Sequence, residues 1–223
     1  MYRKPLTIIS NKSTLRKKSK DFDFFNGNLS EEDKANLHDL QDTFNVLEGY
    51  GLALPQIGIQ KRAVVVNLTL LGVEGYGNSE VMINPVLETW GDDQRNMEAC
   101  FSVPHVSAPV TRPQNCRVSY KDATGKDKSI EVSGYASSCL QHEIDHLDGV
   151  LYIDRLGRVY SQMLVKKALK EEKKIIRAKE LARLEFENEH REIDGKASKK
   201  TTHSKKRQAK ARKKRPRRSK KKK

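Results

Sequence analysis

Apolar residues recur along this chain with two different periods, and the switches between them outline its elements. Over residues 30–48, Leu37, Leu40, Phe44 and Leu47 fall at helical spacing and are expected to face a core. Ser30 is the expected N-cap, with Asp33 three positions on as a weaker form of the capping box. Gly49 and Gly51 are expected to break that helix. The valine-rich run at 61–68 and the segment 81–88 read as strands, with Pro85 marking an edge or a bulge in the second. Residues 70–79 hold three glycines and read as a loop, and residues 92–97 read as a polar turn. Segments 117–121 and 129–132 alternate around a polar stretch and predict a hairpin with a longer loop. Residues 135–147 predict a helix, ended by Gly149 as C-cap. Strands and helices are segregated rather than regularly alternating, which predicts an α+β fold and not a doubly wound α/β sheet.

Beyond this body the pattern thins. Residues 160–193 predict a helix whose first part offers Val159, Met163, Leu164 and Ala168 for docking. From Lys170 on it is mostly charged, with a narrow stripe of Ile175, Ile176, Leu181, Leu184 and Phe186. A solvated extension and a partner-binding helix both fit that pattern. Asp194 and Gly195 are expected to end it. Residues 196–223 contain three Ala and one Pro as their non-polar side chains, too few to build a core, and are expected to be disordered.

Charge sharpens this division. The tail 196–223 carries 12 Lys and 5 Arg and no acid, so the other 195 residues sum to −2 in a chain of net charge +15. The basic character belongs to the tail, where a solubilising role and an electrostatic anchor on a polyanion are the two readings. The tail has no aromatic residue, so phosphate contact rather than base stacking would dominate. The run 213–218 also fits a nuclear-localisation pattern.

No apolar run reaches the roughly 18 residues of a membrane span. The start, Met1-Tyr2-Arg3-Lys4-Pro5-Leu6, lacks the apolar stretch of a secretory signal; residues 6–9 read as a strand or extended segment, followed by a basic loop. Three cysteines argue against a disulfide scaffold and suit a reducing compartment.

Candidate chemistry is concentrated at His142-Glu143-Ile144-Asp145-His146. Residues four apart share a helix face, so both imidazoles can reach one metal ion, with Glu143 beside the first. The bare pattern also occurs as ordinary surface chemistry. What decides is a third ligand, and no downstream histidine pattern of the usual zinc peptidases follows. Upstream stand Glu98-Ala99-Cys100-Phe101-Ser102-Val103-Pro104 and Gly49-Tyr50-Gly51-Leu52-Ala53-Leu54-Pro55-Gln56-Ile57-Gly58. Cys116 reads as a strand residue, and Cys139, three residues before His142, as a buried small hydrophobe rather than a ligand.

These three segments, in this order, resemble the peptide deformylase family over roughly residues 4–165. The third matches the family pattern H-E-x-D-H-L-x-G throughout, and the first differs at Leu54. The second differs at Ala99, where the family has Gly, and at Phe101, where it has Leu.

The resemblance implies antiparallel strands around a central metal-binding helix. It implies Cys100, His142 and His146 as metal ligands and Glu143 as general base and then acid. Gln56 and the Phe101 backbone N–H would form the oxyanion hole. Gly51 would leave its backbone free for the substrate peptide, beside Ala99. The expected metal is Fe(II), with Zn, Ni or Co able to take the same ligands. The expected reaction is hydrolysis of the N-formyl group from the formylmethionine of nascent polypeptides, releasing formate.

Two imidazoles and a thiolate leave an open tetrahedral position, as catalysis requires. If Ala99 needed a positive φ, its methyl would cost of order 1 kcal/mol or more. The expected organisation is a catalytic domain at 1–168, a charged helix at 169–195 and a basic tail at 196–223. A monomer in the cytoplasm is expected, an organellar home stays open, and the tail's expected partner is ribosomal RNA. Two rivals remain: a zinc peptidase, and an idle ribosome- or RNA-binding protein on the same scaffold.

Overall fold

The chain enters as an extended segment pinned at two points: the Leu6 N–H donates to the Gln56 carbonyl and the Ile8 N–H to that of Ser102. The computed structural model describes the backbone of residues 1–213 and the side chains of residues 1–186. In place of a wholly irregular basic loop, one helical turn follows, α1 (Lys12–Leu15), with Leu15 buried. Helix α2 (Glu31–Leu47) begins where Ser30 accepts a hydrogen bond from the Asp33 N–H. Its Leu37, Leu40 and Phe44 are buried as the spacing predicts. It ends one residue before Gly49, at Glu48, which takes the left-handed conformation itself, at φ 50°.

Five strands make one antiparallel sheet in chain order: β1 (Gly51–Ala53), β2 (Ala63–Val66), β3 (Glu80–Cys100), β4 (Val103–Lys121) and β5 (Asp127–Ser133). A 3-10 turn, Leu54–Ile57, follows β1. Pro85 sits at a register shift between Ile83 and Val86, so its bulge is present while its strand is central rather than at the edge.

Residues 92–97 are not a turn. They continue β3 and pair with β4, Gln94 opposite Arg112 and Asn96 opposite Val110. Their polarity has two sources: Gln94 and Asn96 bond to a helix on one face, and Asp92, Asp93 and Arg95 are exposed. β4 likewise begins far before residue 117. Pro104, Pro109 and Pro113 obscure it in the sequence. Over that stretch β3 is its described partner, since β5 joins from Asn115 onward, so the missing N–H groups can face away from the ladder.

Helix α3 (Gly134–Leu147) lies across the sheet. Ala136, Leu140, Ile144 and Leu147 pack into a core with Val64, Val66, Met82, Cys116 and Val118. Each such buried aliphatic side chain contributes about 1.5–3 kcal/mol relative to exposure. Gly149 follows with φ +71°, and a Cβ there would stand 2.5 Å from the Arg16 carbonyl oxygen. A side chain is therefore excluded twice, by backbone conformation and by space.

Helix α4 (Arg158–Lys213) follows a 3-10 turn at Tyr152–Arg155. Leu164 and Ala168 dock it beside Leu151 and Tyr152, while Val159 and Met163 are exposed, against expectation. The helix continues past Asp194 and Gly195 into the residues expected to be disordered. One glycine costs only about 1 kcal/mol in a helix, and the Lys, Arg and Ala around it favour helix. The chain divides into two units, Met1–Glu172 and Lys173–Lys223. Residues 214–223 of the tail lie outside the described residues. Among the described residues, no helix is long and apolar enough to cross a membrane.

Candidate active site

Two periodicities meet at the site. Along β3, residues two apart share a face, and along α3, residues four apart do. Two strand residues advance about 6.7 Å and four helical residues about 6 Å, so the two ladders stay nearly in step. Gln94 donates to the Gly134 carbonyl at 2.6 Å and to Ser138 Oγ at 3.2 Å, and Asn96 donates to Ser138 Oγ at 2.9 Å. Glu98 meets His142 Nδ1 at 2.7 Å. At the end of the strand, Cys100 Sγ lies 3.3 Å from His146 Nε2.

Potential ligand atoms of Cys100, His142 and His146 all lie within 4.8 Å of one another. Three such donors suit a divalent transition metal with an open coordination position. Burial, then the charges of His142 and Arg112, hold the His146 pKa well below its ordinary value, favouring the neutral ring a metal needs. Burial also opposes a charge on His142, but Cys100 and then Glu98 outweigh it and raise its pKa. A metal cation competes with that proton.

Glu143 stands on the next position of α3. Burial pushes its carboxyl up to about 7. Its Oε2 is buried and has no hydrogen-bond partner. An orphaned buried carboxylate oxygen beside three potential metal-ligand atoms is what a water on a metal held there would satisfy. Gly51 makes room for that carboxylate: a Cβ on it would stand 2.5 Å from Glu143 Cγ and 2.7 Å from Cδ.

Gln56 is fixed from both ends. Its Oε1 accepts from the Ala53 N–H at 2.8 Å, so its amide nitrogen must point the other way, toward Ser102 Oγ at 3.2 Å and Cys100 Sγ at 3.5 Å. Phe101 and Ser102 form the two-residue link between Cys100 and its partner Val103, and the Ser102 N–H donates to Cys100 Sγ at 3.4 Å. Ala99 takes no positive φ, so its methyl brings no backbone strain.

A cavity of about 430 Å³ opens onto these groups. Gly49, Gly51, Gln56, Ala99, Cys100, Phe101, His142 and Glu143 line it together with Tyr50, Tyr135, Ser138 and Cys139. His146 is buried and is not part of that lining. Cys139 is only partly buried and stands outside the Cys/His/His group. Burial, with a further push from Glu143, raises its thiol to about 12, so it stays protonated.

Sequence reasoning assigned no role to the charges behind the histidines. Arg112 is fully buried, donating through Nη2 to Glu98 at 2.9 Å and through Nη1 to Asp145 at 2.8 Å. Arg155 reaches the same Asp145 at 2.6 Å. Burial works against the Glu98 charge, but hydrogen bonds from Arg112 and then His142 outweigh it and hold its carboxyl at about 2. Glu98 stays ionised and fixes the tautomer and plane of His142. The available signal was Glu98 two positions before Cys100 on a period-two segment. Arg112 carried none, standing between prolines in an unrecognised strand.

An α+β fold that sets a Cys/His/His group beside a buried carboxylate and an apolar cavity defines a metal-dependent hydrolase. Comparison with known proteins narrows the class. A family model described as polypeptide deformylase matches residues 4–162. The peptide deformylase of Zymomonas mobilis is 39% identical over 162 residues, covering 71% of this chain and 89% of that protein. That of Pelagibacter ubique is 36% identical over 144 residues, covering 64% and 83%. A crystal structure of a peptide deformylase from Legionella pneumophila superposes with a TM-score of 0.67 at 31% identity, covering 78% of this chain and 97% of that one. The chain belongs to the polypeptide deformylase family.

Proposed function

We infer that the chain hydrolyses the N-formyl group from the N-terminal formylmethionine of nascent polypeptides, releasing formate and a free α-amine. The observation that carries this reading is the buried, partnerless Glu143 Oε2 beside the Cys100, His142 and His146 donor atoms. When bound there, a divalent metal supplies Lewis acidity and lowers the pKa of a water toward about 7.

The chain's own residues do the rest. The formyl carbon is attacked and becomes tetrahedral, and its oxygen gains charge. The Gln56 amide, its other end held by Ala53, and the Phe101 N–H donate to that oxygen. Such preorganised donors commonly supply about 3–4 kcal/mol. Glu143 takes the proton of the attacking water and delivers it to the leaving nitrogen. A carboxyl held up at about 7 by burial suits both transfers near neutral pH. Gly51 and Ala99 flank the peptide beyond the formyl group.

Fe(II) is the metal we assign, on the family resemblance. The donor set itself accommodates Zn, Ni or Co as well. We assign the basic segment 196–223 a second role, as an anchor on ribosomal RNA that raises the local concentration of enzyme near emerging chains. Deleting it should abolish co-sedimentation with ribosomes at low salt, and unchanged co-sedimentation would sink that assignment.

The primary reading is tested by formate release from formyl-Met-Ala-Ser under anaerobic conditions with Fe(II)-loaded protein. One formate per free amine is expected. Metal bound in full with no formate released would overturn it.

A further inference from the structure

The cavity beside the donor group is apolar over most of its wall, and Ser138 is among the polar side chains that interrupt it. Ser138 lines it, and its Oγ accepts from both Asn96 at 2.9 Å and Gln94 at 3.2 Å. A hydroxyl has two lone pairs and one hydrogen. Both lone pairs are occupied, so the remaining capacity of Ser138 is to donate. Gln94 also holds the neighbouring Gly134 carbonyl, the usual local acceptor for a serine four residues on. Asn96 and Gln94 therefore do more than fill space: they set the polarity of the Ser138 hydroxyl.

Position gives that donor a target. Ser138 stands one helical turn before His142, about 6 Å along the axis. From a formyl carbon held at the donor group, the path through N, Cα, Cβ and Cγ to the sulfur of methionine is five bonds, roughly 6 Å when extended. In this reading the side chain of the first residue occupies the cavity, and its third atom reaches the level of Ser138. Tyr50 and Tyr135, packed edge to face at 5.4 Å, also line the cavity. Cys139 lines it with a protonated thiol, a weaker donor than a hydroxyl.

We propose that Ser138, oriented by Asn96 and Gln94, is a specificity-determining residue that donates a hydrogen bond to an acceptor atom in the first side chain of the formylated substrate. This rests on the deformylase reading of the same site. It selects a side chain with an acceptor at its third atom, the methionine thioether, over an all-carbon chain of the same shape. A sulfoxide oxygen at that position is a stronger acceptor and should gain more.

The experiment compares kcat/KM for formyl-Met-Ala-Ser and formyl-norleucine-Ala-Ser, in the parent, in Ser138→Ala and in Ser138→Thr. Metal content and thermal unfolding are measured on each sample. The parent should favour methionine by roughly fivefold, the size expected of one modest hydrogen bond. Ser138→Ala should bring the ratio near one, and Ser138→Thr, which keeps the hydroxyl, should restore most of it. An equal ratio in all three proteins overturns the proposal. So does a ratio lost in Ser138→Ala and not recovered in a folded, metal-loaded Ser138→Thr. Hydrolysis of neither substrate by the metal-loaded parent would instead overturn the deformylase reading itself.

Discussion

The two faces of α3 solve opposite problems with one helix. One face, through Ala136, Leu140, Ile144 and Leu147, is buried in the aliphatic core and holds the helix in place. The other runs from a half-buried Gly134 through Ser138, His142 and His146, which are buried against polar partners on β3. The apolar face gains from non-directional burial and tolerates repacking. The polar face must satisfy each group with a partner at a set distance, since an unpaired buried polar group costs about 1–3 kcal/mol. That satisfaction is left incomplete next to this face, at Oε2 of Glu143, the group we propose as the general base. Substitutions on the two faces should therefore fail in different ways.

The largest effect is expected from Cys100→Ala. It leaves two of the three proposed donors, and metal analysis after gel filtration should find almost none retained, with formate release at background. Full metal retention would shift the reading toward a peptidase-type site with some other third ligand. Next comes Gly51→Ala. Its methyl would overlap Glu143, whose carboxylate must move. If Glu143 is the base we propose, a displacement of that size should cost on the order of 100-fold in kcat/KM, with metal content unchanged.

Glu98→Gln should weaken metal affinity by about 10- to 100-fold, the usual loss when a residue orienting a histidine ligand is altered, and a chelator titration would read it. The same residue predicts a pH dependence. Its folded carboxyl, held at about 2, is lower than the ordinary carboxylate value. The stability it contributes is therefore present above the ordinary carboxylate range and is lost as pH falls from about 5 toward 2. Acid unfolding followed by circular dichroism should show a weaker acid dependence in Glu98→Gln across that window. The smallest effect on chemistry is expected from Leu140→Ala on the apolar face. It should cost about 2–5 kcal/mol of folding stability by urea titration while kcat of the folded fraction stays near the parent's.

The sequence disclosed the two faces unequally. Spacing alone set His142 and His146 on one side of a helix, and the Cys100 segment joined them through its resemblance to a family. Leu37, Leu40 and Phe44 were legible for the same reason, since helical periodicity is a local property. The polar ladder was not. Gly91, Asp92 and Asp93 followed by Gln94 and Asn96 carry the composition of a turn, and pairing with β4, with α3 as partner for Gln94 and Asn96, makes the segment strand. Its partner α3 lies some forty residues away in the chain, so no local window contains both halves. Arg112 was hidden likewise: a buried arginine is improbable until Glu98 and Asp145 are brought to it. Helix α4 was misjudged in the other direction, because one glycine was given more weight than the helix-forming residues around it.

The most direct test of the account puts metal content and turnover of Glu143→Ala on the same sample. Glu143 is the group the polar face leaves unsatisfied, and it contributes nothing to the proposed ligand set. The account predicts a fully metal-loaded protein, at least as stable as the parent, with deformylation of formyl-Met-Ala-Ser reduced by about 10³-fold. Turnover close to the parent's, with metal in place, would contradict it.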